Sequence, residues 1–135
     1  MSQTATRTAD AFAILDNQQF MSLTTFRKTG QGVATPVWFV RVGDVLYVTT
    51  MREAGKAKRI SHTPRVTVAP CKANGQLLGS NMAEGAARIL DATESSAAQT
   101  ALQHKYGYQR SMFNLMGRIR GNLANRIYLE IKPAS

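Results

Sequence analysis

The chain has 135 residues, of which 44% are hydrophobic and 19% charged, a composition typical of one globular domain that buries its own core. Seventeen Lys and Arg against eight Asp and Glu give a net charge of +9, which favours anionic partners such as a phosphorylated cofactor, nucleic acid or anionic lipid. The sequence contains no apolar run of about 18 residues, so no membrane-spanning helix is expected. A single cysteine, Cys71, excludes an intramolecular disulfide and fits the reducing cytoplasm.

The N-terminal segment combines a polar leader with a short helix. Residues 1–9 lack the apolar core of a secretory signal, so we predict a flexible leader followed by a single domain over residues 10–135. Asp10 is placed to cap a helix over residues 11–17, because its carboxylate can accept from the free amides of the first turn. Residues 19–26 then predict the first strand.

A hairpin is the clearest local signal. Two runs rich in β-branched and aromatic residues, 33–42 and 45–50, flank the dipeptide Gly43-Asp44, which is typical of a two-residue turn. Pro36 lies inside the first run and cannot donate a ladder hydrogen bond. We therefore expect an edge strand or a bulge there, with backbone groups left free to bond a ligand.

The remainder of the chain alternates short helices with strands. After a loop at residues 51–55, the pattern predicts a helix at 56–62, strands at 65–70 and 82–90, a helix from 92 to about 106, a shorter helix at 111–120 and a strand at 125–131. Asp91 and Glu94 have the spacing of a capping box before the longer helix. Six strand-like runs with few helices predict a mainly β fold, a closed antiparallel barrel.

Metal and nucleophilic chemistry are poorly supported. His62 and His104 are far apart and have no carboxylate at ligand spacing, so we predict no metal site. Cys71 follows Pro70 at a strand end without an evident base, and a buried structural thiol is the simpler interpretation.

A basic strand-to-helix junction is the strongest candidate for binding. Hydroxyls, a glycine and four cations surround it: Thr49, Thr50, Arg52, Gly55, Lys56, Lys58 and Arg59. Amides at a helix N-terminus carry partial positive charge and favour a phosphate, which such cations would reinforce. A solvated basic helix face remains an equally weighted alternative. The lone tryptophan, Trp38, is expected in the core or at a dimer interface, although its indole could also form a wall against a flat ligand.

Four ordered runs carry a family resemblance: SLTTFRKTGQGVATPVWFV, LYVTT, REAGKAKRI and PRVTVAPC. Together they resemble the PPOX-class F420-dependent oxidoreductases, a group of flavin and deazaflavin enzymes related to pyridoxamine 5′-phosphate oxidase. The resemblance covers roughly residues 20–90 well. It implies an FMN-binding split β-barrel and a homodimer with two cofactor sites at the subunit interface.

The resemblance also implies ten cofactor-binding positions. Those along the flavin or deazaflavin ring are Thr35, Pro36, Val37 and Trp38. Those near the ribityl phosphate are Thr49 and Thr50, and those around the phosphate are Arg52, Gly55 and Lys56, with Lys58 or Arg59 nearby. Lys56 matches the phosphate-binding lysine of the oxidases, whereas Gly55 stands where those oxidases often have Arg.

The implied function is hydride transfer between coenzyme F420 and an unsaturated organic substrate. FMN is the alternative cofactor, with an oxidase or reductase activity, and a non-catalytic carrier of a flavin cofactor is a third interpretation. The C-terminal run IYLEIKPAS lacks the arginine-bearing substrate motif of true pyridoxamine phosphate oxidases, so that reaction is not expected. Nucleic-acid binding is not expected either, because aromatic residues are not interleaved with the basic ones.

Overall fold

A computed structural model describes residues 8–106 and 126–134. The predicted leader lies almost wholly outside these ranges, as does the helix predicted at 111–120. Across the residues that are described, no helix is both long enough and apolar enough to cross a membrane.

The described chain is mainly β. It opens with a 3-10 helix, Thr8–Leu15. The seven strands are β1 Phe20–Phe26, β2 Gly32–Trp38, β3 Val40–Val42, β4 Val45–Met51, β5 Arg65–Cys71, β6 Ala83–Ile89 and β7 Arg126–Pro133. The two α-helices are α1 Gly55–His62 and α2 Ala92–Tyr106. All strand pairs are antiparallel, in the order β2-β1-β5-β6-β7-β4-β3.

The two edge strands of this sheet are successive in the chain. β2 and β3 are separated only by Phe39, yet β2 pairs with β1 while β3 pairs with β4. The sheet therefore curls until its two edges meet at Phe39, which is the split β-barrel that the family resemblance implied. The predicted single strand at 33–42 is in fact two strands, because each half pairs with a different neighbour. The ladder is consequently not closed all the way round.

Strand β2 confirms the expectation for Pro36. The proline pairs with Ser22 of β1 on one side and lies on the edge of the sheet on the other. An edge position tolerates the missing N–H, since no second strand requires it.

The barrel interior holds one apolar core. Its largest fully buried side chains include Phe12 and Leu15, which the N-terminal helix places against the sheet, and Phe39 at the bend. Gly85 of β6 permits this close packing. A Cβ atom there would lie 2.8 Å from Ile131 Cγ2 and 3.4 Å from the Phe12 ring.

The N-terminal helix differs from its prediction. It begins at Thr8, so Asp10 lies inside it and does not cap it. It ends before Asn17, whose φ of 65° is left-handed, a conformation that asparagine tolerates better than most residues. The predicted N-cap position of Asp10 was wrong because the helix begins at Thr8, three residues before the predicted start.

Two local predictions are confirmed. Val42 pairs with Val45 across the hairpin, and Gly43 has the left-handed φ of 63° that a tight turn needs. In the capping box, the Glu94 amide donates to Asp91 Oδ1 at 2.8 Å and the Asp91 amide donates to Glu94 Oε1 at 3.1 Å.

Candidate functional site

The split in the barrel opens a cavity of about 290 Å³. Strand β2, which precedes Phe39, pairs with β1 and not with β4. Space therefore remains between β2 and the second half of β4. The N-terminal end of α1 and the first residue of β7 close this space. The lining residues are Phe20, Pro36, Val37, Trp38, Thr49, Thr50, Met51, Lys56 and Arg126.

One wall of the cavity is aromatic. Phe20 and Trp38 are direct cross-strand partners on β1 and β2, with ring centroids 5.8 Å apart and planes inclined by 37°. Both side chains are only half-buried, so part of each ring is accessible. Such a wall can pack against a flat ring system.

Two cations, Lys56 and Arg126, lie on the polar side. Lys56 Nζ lies 3.5 Å from Thr50 Oγ1, and Arg126 Nη1 donates to Thr49 Oγ1 at 2.7 Å. That hydroxyl in turn donates to the Ile127 carbonyl at 3.1 Å, so it is held in place. Both cations are half-buried, and within residues 8–106 and 126–134 neither forms an ion pair with a carboxylate.

The protonation of these groups reflects their burial. Burial, and then the positive charge of Arg59, lower the pKa of Lys56. Burial likewise lowers the pKa of Arg126. Its Nε is buried and has no hydrogen-bond partner in the part of the chain that the structure describes. A buried cationic donor without an acceptor is costly, so an anion in the cavity would relieve that cost for Arg126. The same anion would stabilise the charged form of Lys56, whose pKa burial lowers.

The N-terminus of α1 adds further positive potential. Its N-cap residue, Ala54, makes no side-chain cap, and no acidic residue occupies the first turn. A Cβ atom at Gly55 would lie 2.7 Å from Arg59 Nη1, so the guanidinium of Arg59 fills the space beside this glycine. Arg59 Nε also donates to Thr25 Oγ1 at 2.6 Å, which holds the guanidinium near the helix start. The positive end of the helix dipole and this guanidinium both favour an anion here.

The structure brings together six of the ten predicted binding positions: Pro36, Val37, Trp38, Thr49, Thr50 and Lys56. Four others lie outside the lining. Thr35 is half-buried on β2, and its buried Oγ1 has no hydrogen-bond partner among the described residues. Arg52 is exposed in the loop before α1, and Gly55 is exposed at the first position of that helix. Lys58 lines a different cavity on the outer side of α1.

Three lining residues were missed from the sequence: Phe20, Met51 and Arg126. Phe20 was placed on a strand, but only the register with β2 puts it opposite Trp38. Arg126 begins a strand in which apolar and polar residues alternate, and that local pattern gives no reason to place its side chain at a cavity. Its pairing with Met51 of β4, 75 residues away, places it at the cavity instead.

Among the described residues, no three His, Cys, Asp or Glu side chains lie close enough together to hold a metal ion. Cys71 is a buried free thiol, and burial raises its pKa. A raised pKa disfavours the thiolate, so this cysteine lacks the activation that a nucleophile needs.

Comparison with known protein families identifies the family of this chain. The family model for pyridoxamine 5′-phosphate oxidase matches residues 8–134. Among curated protein sequences, none matches the chain significantly.

Several solved structures share the fold. An F420 reductase has 17% identity and a TM-score of 0.57, covering 92% of this chain and 93% of that one. HutZ, the heme storage protein of Vibrio cholerae, has 10% identity and a TM-score of 0.65, covering 91% and 87%. An FAD-binding protein of Mesorhizobium loti has 16% identity and a TM-score of 0.63, covering 93% and 88%. At these identities the likeness establishes the split barrel alone, whereas the family match spans nearly the whole chain. The chain therefore belongs to the pyridoxamine 5′-phosphate oxidase family.

Proposed function

We propose that this chain is a cytoplasmic, homodimeric oxidoreductase that transfers a hydride between coenzyme F420 and an unsaturated organic substrate. One observation carries the proposal: a single cavity combines an aromatic wall with two half-buried cations that have no carboxylate partner among the described residues. The deazaflavin, when bound, supplies the hydride chemistry. The protein supplies position and electrostatics.

The residues fit the two parts of such a cofactor. Pro36, Val37 and Trp38 follow one another along β2, so they form a continuous edge against which a planar ring can lie. Thr49 and Thr50 offer hydroxyls on β4, between the ring wall and the cations. This order along the cavity, from apolar to cationic, matches a flat ring joined to a phosphate.

The phosphate end is the better defined of the two. Lys56 provides a point charge, and the nearby Arg126 provides a planar guanidinium with an unshared Nε donor. An anion bound between them would raise the lowered pKa of Lys56 towards its usual range. Cofactor binding is therefore expected to stabilise the charged form of this lysine.

The choice of F420 over FMN rests on charge. F420 carries a polyglutamyl tail beyond its phosphate, and a protein of net charge +9 has cations to receive it, Lys72 among them. The similarity to a protein described as an F420 reductase supports the same choice.

FMN remains the second candidate, and Arg59 favours it. The guanidinium of Arg59 lies beside Gly55, the position where the oxidases often have Arg. A guanidinium supplied from one turn later in the helix would restore the usual FMN-phosphate contact. A non-catalytic flavin-cofactor carrier is the third candidate, which fits the similarity to HutZ, a heme storage protein.

The homodimer is part of the proposal because the cavity is small. Ligand pockets commonly measure about 300–1,000 Å³, and one chain provides about 290 Å³. We infer that a second copy completes the site. The loop that packs against Pro36 through Gly75 continues into the exposed apolar side chains of Leu77, Leu78 and Met82, which a partner could cover.

The test is a titration of the purified protein with F420 and with FMN, followed by the fluorescence of Trp38. The informative variant is Lys56→Ala, and Lys58→Ala is its matched control, because it removes the same charge from the same helix outside the cavity. We expect tighter binding of F420 than of FMN, and a loss of roughly tenfold or more for both ligands in Lys56→Ala only, as removal of a charge-assisted hydrogen bond predicts.

Other outcomes are equally decisive. A preference for FMN would favour the second candidate, and binding without turnover of any electron acceptor would favour the carrier. Equal losses in the two lysine variants would mean that only net charge matters. Sedimentation equilibrium tests the dimer independently, and a monomer at micromolar concentration would contradict it.

A further inference from the structure

The aromatic wall of the cavity lies at the open end of a strand pair. Phe20 and Trp38 are the last residues that β1 and β2 pair before the two strands part. Phe20 is also held on its other side, where it pairs with Cys71 of β5. Strand β2 lies at the edge of the sheet, so Trp38 has a ladder neighbour on one side, and the chain leaves this ladder at Phe39. The position of the indole therefore depends on what holds the chain just beyond this pair.

A single ammonium group joins the two backbone segments at this open end. Lys105 Nζ donates to the carbonyls of Gln18 and Phe39, each at 2.8 Å. Gln18 lies two residues before Phe20, and Phe39 directly follows Trp38. The ammonium also lies 3.8 Å from the centroid of the Phe39 ring, within the range of a cation–π contact. Hydrogen bonds from a charged donor are stronger than neutral ones, so this group holds both segments firmly.

Helix α2 brings Lys105 to this place in a fixed position. Near the start of the helix, the carboxylate of Glu94 accepts from both terminal nitrogens of Arg88, at 3.0 and 2.8 Å. Near its end, the buried Leu102 packs with Val40 of β3. Lys105 follows Leu102 by three residues, which places the two side chains next to each other on the helix surface. The ammonium is therefore carried by an element that is anchored near both ends.

The indole of Trp38 connects this helix with the cavity. It lines the cavity and also packs against the cluster formed by Val40 and Leu102. A shift of the last turn of α2 would thus reach the wall by two routes, through this apolar contact and through the two carbonyls. The ammonium in addition contacts the segment that leads into Phe20, so it sets the two rings relative to each other.

We propose that Lys105 is a positioning residue for the bound ring system. By holding two carbonyls together, it fixes the 5.8 Å separation and the 37° inclination of the Phe20 and Trp38 rings, and so the surface that a flat ring meets. Lys105 does not itself line the cavity. The inference rests on the proposed function in one respect, that this wall receives the ring of the cofactor.

The first measurement is the affinity for F420 and for FMN, each beside the phosphate-free ribityl form of the same ring, at pH 7. Burial lowers the pKa of Lys105 to about 8, so its ammonium is mostly charged at this pH. In Lys105→Met we expect about a tenfold loss for all four ligands, the change that a weakened aromatic contact gives. The ratio between each cofactor and its phosphate-free form should stay unchanged, whereas Lys56→Ala should lower that ratio.

The second measurement reads the wall without any ligand. Trp38 is the lone tryptophan, so its fluorescence reports the packing of the wall directly. A loosened indole meets more water, and its emission in Lys105→Met should therefore move to longer wavelength. Lys105→Arg keeps a charged donor for the carbonyls, so we expect it to restore the emission and to hold the affinities within about threefold of the wild type.

The matched control is Ala98→Gly, which loosens the same helix by removing a buried methyl group two turns before Lys105. Its Trp38 emission and its affinities should equal those of the wild type. Equal changes in Ala98→Gly and Lys105→Met would show that only the stability of α2 matters and would overturn the proposal. Unchanged emission in a folded Lys105→Met would overturn it as well.

A second variant keeps the test decisive if Lys105→Met does not fold. The amide of Lys105→Gln reaches less far and carries no charge, so the same changes are expected in smaller measure, and their absence would contradict the proposal. Failure of all four ligands to bind the wild type would count against the proposed function, while the emission of Trp38 would still decide the role of Lys105.

Discussion

The two ends of strand β4 differ in their neighbours: one end is paired with β3, and the other end borders the cavity. At the hairpin end, β3 pairs with β4 from Val42↔Val45 to Val40↔Tyr47. At the other end, β2 has turned away to β1, and Thr49, Thr50 and Met51 line the cavity instead. The residues at both ends are similar in β propensity. What differs is the neighbour across the strand, so the site arises from pairing and not from a special local sequence.

The bend at Phe39 creates this difference, and a side chain from α2 stabilises the bend. Phe39 is buried in the core, and its carbonyl accepts a hydrogen bond of 2.8 Å from Lys105 Nζ. The same ammonium lies 3.8 Å from the centroid of the Phe39 ring and donates to the Gln18 carbonyl at 2.8 Å. One lysine thus joins the bend, the start of the sheet and the end of α2.

The largest expected effect comes from removing the side chain at the bend. Phe39→Ala should lower the free energy of unfolding by about 3–5 kcal/mol, because it leaves a cavity in the core. Urea denaturation measures this. Val42→Ala, on the exposed side of the neighbouring strand, is the control, with an expected change within about 0.5 kcal/mol. Similar losses in the two variants would mean that the bend is not supported by core packing.

The cavity end is tested by Arg126→Gln. We expect the affinity for FMN or F420 to fall by roughly tenfold or more, because a charge-assisted contact to the phosphate is lost. The free energy of unfolding should change by less than about 1 kcal/mol, since a desolvated charge is removed together with its hydrogen bond. Fluorescence titration and urea denaturation give the two values. Lys132→Gln, near the other end of β7, should leave both unchanged, and a large loss of affinity there would contradict the assignment.

The hairpin end is tested by Gly43→Ala. The left-handed φ of Gly43 should make the methyl group cost about 1 kcal/mol of stability. Cofactor affinity should remain unchanged, because the turn lies at the sealed end. Gly79→Ala is the matched control, since a Cβ there would contact nothing within 4 Å. Thermal unfolding of both variants separates backbone strain from the general effect of replacing glycine. Equal melting midpoints in the two variants would contradict the expected strain at position 43.

The last expected effect is the pH dependence contributed by Lys105. Burial lowers the pKa of Lys105 to about 8 from an ordinary value of 10.5. Between these values the unfolded chain binds more protons than the folded one, so the contribution of this group to stability increases as the pH rises. The free energy of unfolding, measured at pH 7.5 and pH 10, should rise less in Lys105→Gln than in the wild type. Lys72→Gln should behave as the wild type, and an identical rise in all three proteins would contradict the lowered pKa.

Much of the fold and part of the site could be predicted because the signals are local. Three features depend only on neighbours within a few residues, and all three are present: the turn at Gly43, the capping box of Asp91 and Glu94, and strand β4. Lys56 could be singled out in the same way, since a cation in the first turn of a helix after a strand is visible in the sequence. Its role in binding stays a prediction.

The sequence by itself therefore determined the elements, the basic junction and the family to which the barrel belongs. Only the tertiary structure decided that residues 33–42 divide at Phe39, because no local pattern says which strand each half will join. It also decided that Arg126 meets Thr49 from 77 residues away and that Lys58 belongs to another cavity than Lys56. Contacts of this kind depend on strand order and register, which the whole core sets together and which no short stretch of chain encodes.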